Sequence, residues 1–232
     1  NLIVYSTNKT LQSFHTVDHN EIEVYDTQSD LIAFNVEKGE VTNLENDSTE
    51  FEVFPAWSPD GKTLYYCSAH FERQDTTRSI VSEIVVRSKE LKYNIYKKSF
   101  DPETMVFGPR ELVFSADSLG KSATLPRISP DGRYLMFALA EFGVFHIWHH
   151  DADLWTLDLQ TGEARAVEEI NSPDTESYHS WSSNGRWVVF SSRRDDGTYT
   201  RPFFAHLDQE GHWSKPFELP QADPDYHRQF MR

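Results

Sequence analysis

One pattern limits what this chain can fold into: a segment of about a dozen residues that occurs three times. The first copy is Phe54-Pro55-Ala56-Trp57-Ser58-Pro59-Asp60-Gly61-Lys62-Thr63-Leu64-Tyr65-Tyr66. The second runs from Leu125 through Ile128-Ser129-Pro130-Asp131-Gly132-Arg133 to Phe137, and the third from Tyr178 through Trp181-Ser182-Ser183-Asn184-Gly185-Arg186 to Phe190. Ser-Pro-Asp-Gly suits a tight reversal: proline presets φ at the second turn position, Asp or Asn tolerates the third, and glycine accepts positive φ at the exit. The β-branched and aromatic runs that follow, Leu64-Tyr65-Tyr66, Leu135-Met136-Phe137 and Val188-Val189-Phe190, read as strands. Each copy is therefore strand, turn, strand. Gly61, Gly132 and Gly185 are spaced 71 and 53 residues apart, too far for one hairpin and right for a four-stranded unit. Periods of about 40 to 50 residues or more mark propeller blades.

A second element supports the same period. Asp30-Leu31-Ile32-Ala33-Phe34-Asn35-Val36-Glu37-Lys38-Gly39-Glu40-Val41 matches Asp153-Leu154-Trp155-Thr156-Leu157-Asp158-Leu159-Gln160-Thr161-Gly162-Glu163-Ala164, 123 residues on. Both copies read as a strand, a two-residue turn ending in glycine, and an outer strand. Weaker relatives begin at Asn94 and Phe203. Together these give four units in one propeller portion covering residues 1–232: a partial one over 1–50, then 51–122, 123–176 and 177–232. No stretch holds a 3.6-residue apolar period for ten residues, so helices should be minor. The first unit lacks the Ser-Pro-Asp-Gly hairpin, and the start at Leu2-Ile3-Val4-Tyr5 has no signal-peptide pattern. The expectation is a chain whose natural start lies further upstream.

Composition closes off several classes. Aromatics at 14% with a mean hydropathy of −0.61 fit many short half-buried strands. No apolar run approaches the roughly 20 residues of a membrane helix. The single cysteine, Cys67, excludes an intramolecular disulfide or cysteine cluster in this chain and, within an apolar run, reads as a buried inert thiol. A net charge of −15 argues against nucleic acid, whose phosphates need clustered Lys and Arg. Ten acids against two lysines in residues 1–50 mark a solvated face or a site for a cation or basic partner.

The Ser-Pro-Asp-Gly-Lys/Arg copies at 58–62 and 129–133 resemble the TolB-type, WD40-like (PD40) β-propeller repeat, and the resemblance extends over nearly the whole chain. The segments 145–154 and 191–202 are similar to periplasmic members from Bacteroidetes-type bacteria. The resemblance implies an all-β propeller of four-stranded antiparallel blades, about four of them visible here, within a ring of six. It also implies a periplasmic or outer-membrane-associated location. One departure is the third turn, Ser182-Ser183-Asn184-Gly185, which lacks the proline. Propellers host many functions, so the resemblance specifies fold better than activity.

The same topology puts the inserts at about 69–92, 140–152 and 191–201 on one face with the blade-to-blade connections, opposite the Ser-Pro-Asp-Gly turns. Variable loops on a rigid scaffold are where binding usually resides. The 140–152 insert and the strand after it carry His146, His149, His150, Asp151 and Asp153 around Trp148, a metal-capable set. Successive residues of an extended segment point opposite ways, however, so His149 and His150 converge only if the loop bends. The 191–201 insert holds Arg193, Arg194, Arg201, Asp195, Asp196 and Tyr199. Its arginines could fork onto a ligand carboxylate or phosphate, or pair with the neighbouring aspartates. The expected function is a non-catalytic binding or scaffold module without cofactor. It presents His149, His150, Arg193, Arg194, Tyr199 and Arg201 to a protein or polymeric ligand. Two enzyme readings stand beside it. Oligogalacturonate lyases are propellers with histidine-bound metal, for which His149, His150 and His179 are the candidates. A prolyl-oligopeptidase-like peptidase would need a hydrolase domain, and this chain has no Gly-x-Ser-x-Gly elbow.

Overall fold

The computed structural model describes residues 1–14, 22–45, 47–223 and 225–226. Among these residues sixteen strands form four antiparallel sheets arranged as four propeller blades. Blade 1 is β1 (Leu2–Phe14), β2 (Ile22–Asn35) and β3 (Glu40–Asn43). Blade 2 is β4 (Glu50–Trp57), β5 (Thr63–His70) and β6 (Asn94–Asp101), with an outer edge shared by β7 (Val106–Phe107) and β8 (Glu111–Phe114), both paired to β6. Blade 3 is β9 (Ser122–Ile128), β10 (Tyr134–Ala140), β11 (Asp153–Asp158) and β12 (Ala164–Ala166). Blade 4 is β13 (Glu176–Trp181), β14 (Trp187–Ser192), β15 (Arg201–His206) and β16 (Phe217–Glu218). The one α-helix among the described residues, α1 (Ile80–Val86), lies in the blade 2 insert.

The first strands β4, β9 and β13 touch in succession and form the inner edges of their blades. Trp57, Ile128 and Trp181 end these strands, and the Trp181 indole donates across the seam to the Arg127 carbonyl at 3.3 Å. The continuous apolar run of β10 is explained by burial on both faces. Leu135, Phe137 and Leu139 join Val53, Cys67 and Ile95 between blades 2 and 3, while Met136 and Ala138 join Val188, Phe190 and Phe203 between blades 3 and 4. Each large apolar side chain so buried contributes about 1.5–3 kcal/mol. Between blades 1 and 2 the apolar part is smaller, centred on Leu31, Leu64 and Tyr66.

The repeated turn is held by side chains. Ser58 Oγ accepts the Thr63 amide at 2.9 Å and donates to Asp60 Oδ1 at 2.6 Å, and Asp60 Oδ1 accepts the Lys62 amide at 3.0 Å. Ser129 with Asp131 and Ser182 with Asn184 repeat the same three bonds. The glycines take φ of +67°, +74° and +67°. Ser-Ser-Asn-Gly therefore forms the same turn without proline, because the first serine and the Asx residue carry the hydrogen bonds. The outer turns differ from expectation. Four residues, not two, separate β2 from β3, with Asn35 Oδ1 accepting the amides of Glu37 and Lys38 at 3.1 Å. Asp158 does the same for Gln160 and Thr161 in blade 3. An Asx side chain bonding two residues ahead favours this longer loop, with glycine left-handed at its end.

A further repeated device was not legible in the sequence. Phe54 and Leu125 have φ of +54° and +57°, where the pairing registers of β4 and β9 slip. Such bulges re-aim a side chain. Phe54 turns toward Phe145, edge to face at 6.1 Å, and packs against the cores on both sides of blade 3.

Candidate functional site

The inserts and blade-to-blade connections do share one face, stitched together by backbone bonds. Phe71 donates to Thr49 O, Gly143 to Leu91 O, Glu176 to Ala152 O and Arg193 to Thr175 O, at 2.7–3.2 Å. Blade 1 reaches this face through the β1–β2 hairpin, whose strands are far longer than those of the other blades. Its Glu23 Oε2 lies 3.0 Å from His149 Nε2 on the blade 3 insert.

The histidines are dispersed. His146 is fully buried between the Thr124 hydroxyl and the Gly143 carbonyl, and burial, aided by His149, lowers its pKa to about 3. His149 is buried against Glu23. His150 is half exposed and pairs with Asp174 Oδ1 at 2.9 Å. His179 faces the Met136 carbonyl at 3.1 Å inside the blade 3–4 seam, with its pKa lowered to about 4 by burial. A neutral imidazole already bonded to a carbonyl is a packing element. Among the described residues no three His, Cys, Asp or Glu side chains are placed to hold a metal ion, and His149, His150 and His179 do not fit a shared metal. Asp153 has its pKa raised to about 6, by burial first and by Glu176 second. Asp151 bonds the Glu141 amide at 2.7 Å and Lys121 at 3.5 Å.

The arginines of the blade 4 insert behave unequally. Arg194 pairs with fully buried Glu176 at 2.9 Å and donates to the Ile170 carbonyl at 2.6 Å. Arg201 pairs with Asp195 and Asp196 at 2.5 and 2.9 Å. Arg193 is buried, lies over the Trp148 ring at 5.6 Å and donates to the Gly197 carbonyl. The Tyr199 amide is held by Asp196 Oδ1 at 2.8 Å. Asp174 and Glu23 went unnoticed in the sequence because each lies in an unremarkable acidic stretch, and only the fold brings it to the inserts.

The opposite face also offers a concavity. Between the turns of blades 3 and 4 lies a groove of about 540 Å³ lined by Pro130, Arg133, Asn184, Arg186, Asp208 and Glu210 among others. A smaller hollow of about 190 Å³ adjoins it at Tyr134, Glu163, Arg165 and Trp213. The repeat motif marks Pro130, Arg133, Asn184 and Arg186 as turn residues, but nothing in the sequence says that two such turns enclose a groove. Cys67 is buried, and burial raises its thiol pKa, as an inert core residue requires. No helix among the described residues is long and apolar enough to cross a membrane.

No family model matches this chain, and no curated protein matches it. Solved structures do match at the level of fold. A protein described as TolB from Agrobacterium tumefaciens aligns at a TM-score of 0.52 and 18% identity, over 85% of this chain and 61% of that one. An oligogalacturonate lyase in complex with manganese gives 0.52 and 11%, over 88% and 52%. A puromycin-hydrolyzing peptidase of Mycobacterium tuberculosis gives 0.52 and 14%, over 92% and 30%. The chain thus spans less than two thirds of the length of these propeller proteins. At such identities the shared property is the β-propeller fold.

Proposed function

We propose that this chain is the propeller portion of a binding or scaffold protein of the cell envelope. Its insert face docks on a protein partner, and the blades here belong to a ring of six. The PD40-type repeat and the periplasmic or outer-membrane location rest on the sequence resemblance. The observation that supports the binding reading is the engagement of the insert-face side chains with each other. His149 with Glu23 ties the blade 3 insert to blade 1, His150 with Asp174 ties it to the connection into blade 4, and Arg194 with Glu176 and Arg201 with Asp195 and Asp196 brace the blade 4 insert on its own blade. Groups paired in this way position a surface. A lyase of the manganese type would instead need histidines that converge.

Photo-cross-linking tests the reading. A benzophenone amino acid placed at His150 or Tyr199, and separately at Asn184 in the groove of the opposite face, is activated in cells that make the protein. A discrete protein adduct from the first two positions, absent at Asn184, is expected. Adducts from Asn184 alone would move the working surface to the turn side.

A further inference from the structure

Three arginines of one insert share a sequence neighbourhood, yet only two find carboxylates. Arg193 is 5% exposed. Its Nη2 donates to the Gly197 carbonyl, but Nε and Nη1 meet no acceptor among the described residues. No carboxylate among the described residues pairs with it. Asp174, beside Gly197, is instead bonded to His150 Nδ1 at 2.9 Å and to the Thr175 amide at 2.7 Å. A guanidinium stays charged at any pH a protein experiences. Enclosing one with donors unmet is strongly unfavourable unless an anion completes it. Trp148 supplies a flat aromatic wall for the cation. Trp148 and Gly197, which wall the guanidinium, are themselves partly exposed, so its surroundings reach the insert face.

We propose that Arg193, backed by Trp148, is the seat for a single carboxylate that the protein partner of the insert face presents. The inference rests on the binding reading above and deepens it. Guanidinium forks suit carboxylates and phosphates alike, but a net charge of −15 repels polyanions. That charge favours one carboxylate, from an acidic side chain or a chain terminus, on an otherwise neutral or basic surface.

Acetate is the probe, titrated against chloride at constant ionic strength while the arginine Nε–H resonances are followed by NMR. The Arg193 signal is assigned by its loss in Arg193→Lys. A saturable shift with acetate and none with chloride is expected. In the cross-linking experiment, Arg193→Gln should lower adduct yield at Tyr199 at least tenfold with the melting temperature held within a few degrees. An acetate response that is absent or equal to that of chloride overturns the seat, and so does an adduct yield unchanged by Arg193→Gln. If Arg193→Gln does not fold, Arg193→Lys, which keeps charge and stem but loses the planar fork, takes its place. Missing adducts in the wild-type protein would overturn the binding face instead, so the two failures are distinguishable.

Discussion

Glu52→Gln should convert a pH-sensitive protein into a flatter one. Glu52 lies on β4, 1% exposed, with Oε1 unpartnered among the described residues. Burial first, then the charges of Glu45, Asp30 and Glu50, raise its pKa from 4.5 to about 8. Arg110 offsets this only in part, because it is taken by Glu50, as Lys98 is by Glu45, both at 2.9 Å. Between these two pKa values the folded chain holds a proton that the unfolded chain has released. Stability therefore falls as pH rises, by about 1.4 kcal/mol per pH unit. Over the window from 4.5 to 8 that amounts to about 3–5 kcal/mol, which glutamine, having no proton to lose, escapes. Urea unfolding midpoints of both proteins measured from pH 5 to 9 read the difference directly, because every other group contributes equally to the two curves. The midpoints should lie close together at pH 5 and diverge steadily to pH 8, with the variant more stable. Parallel curves would refute the assignment of a neutral, buried carboxyl to the blade 1–2 seam.

Other outcomes follow from single contacts. Gly61→Ala and Gly132→Ala should each cost about 1 kcal/mol, because both residues are left-handed with open space around them, so backbone strain alone acts; thermal unfolding checks this. Ser182→Ala removes the acceptor for the Trp187 amide and should cost about 1 kcal/mol by chemical denaturation, despite the missing proline. Arg194→Ala leaves the fully buried Glu176 carboxylate without its only cation, held by Ser172 and Ser192 alone among the described residues, and should cost about 3 kcal/mol, seen as a drop in melting temperature.

The architecture was legible because a propeller repeats its local chemistry. Serine, Asx and glycine recur at fixed offsets, and β10 advertises burial on both faces by its unbroken apolar run. What escaped were features that depend on distant partners. The bulges at Phe54 and Leu125 use non-glycine residues at positive φ, which no propensity marks. The longer outer turns depend on an Asx bond that the glycine alone does not reveal. His149 and His150 looked like candidate ligands because they belong to a dense cluster of histidines and carboxylates, but the fold gives one to Glu23 of another blade and the other to Asp174 of a connection. The same holds for the arginines: composition offered three equivalent cations, and only packing separated Arg193 from its two paired neighbours.

The central claim, that the insert face is the working surface, is tested most directly by hydrogen exchange of the protein with and without the partner recovered by cross-linking. Peptides covering 140–152 and 191–201 should slow on binding, while those spanning the turns at 58–63, 129–134 and 182–187 should be unchanged. Slowing confined to the turns would contradict the claim and place the partner in the groove between blades 3 and 4.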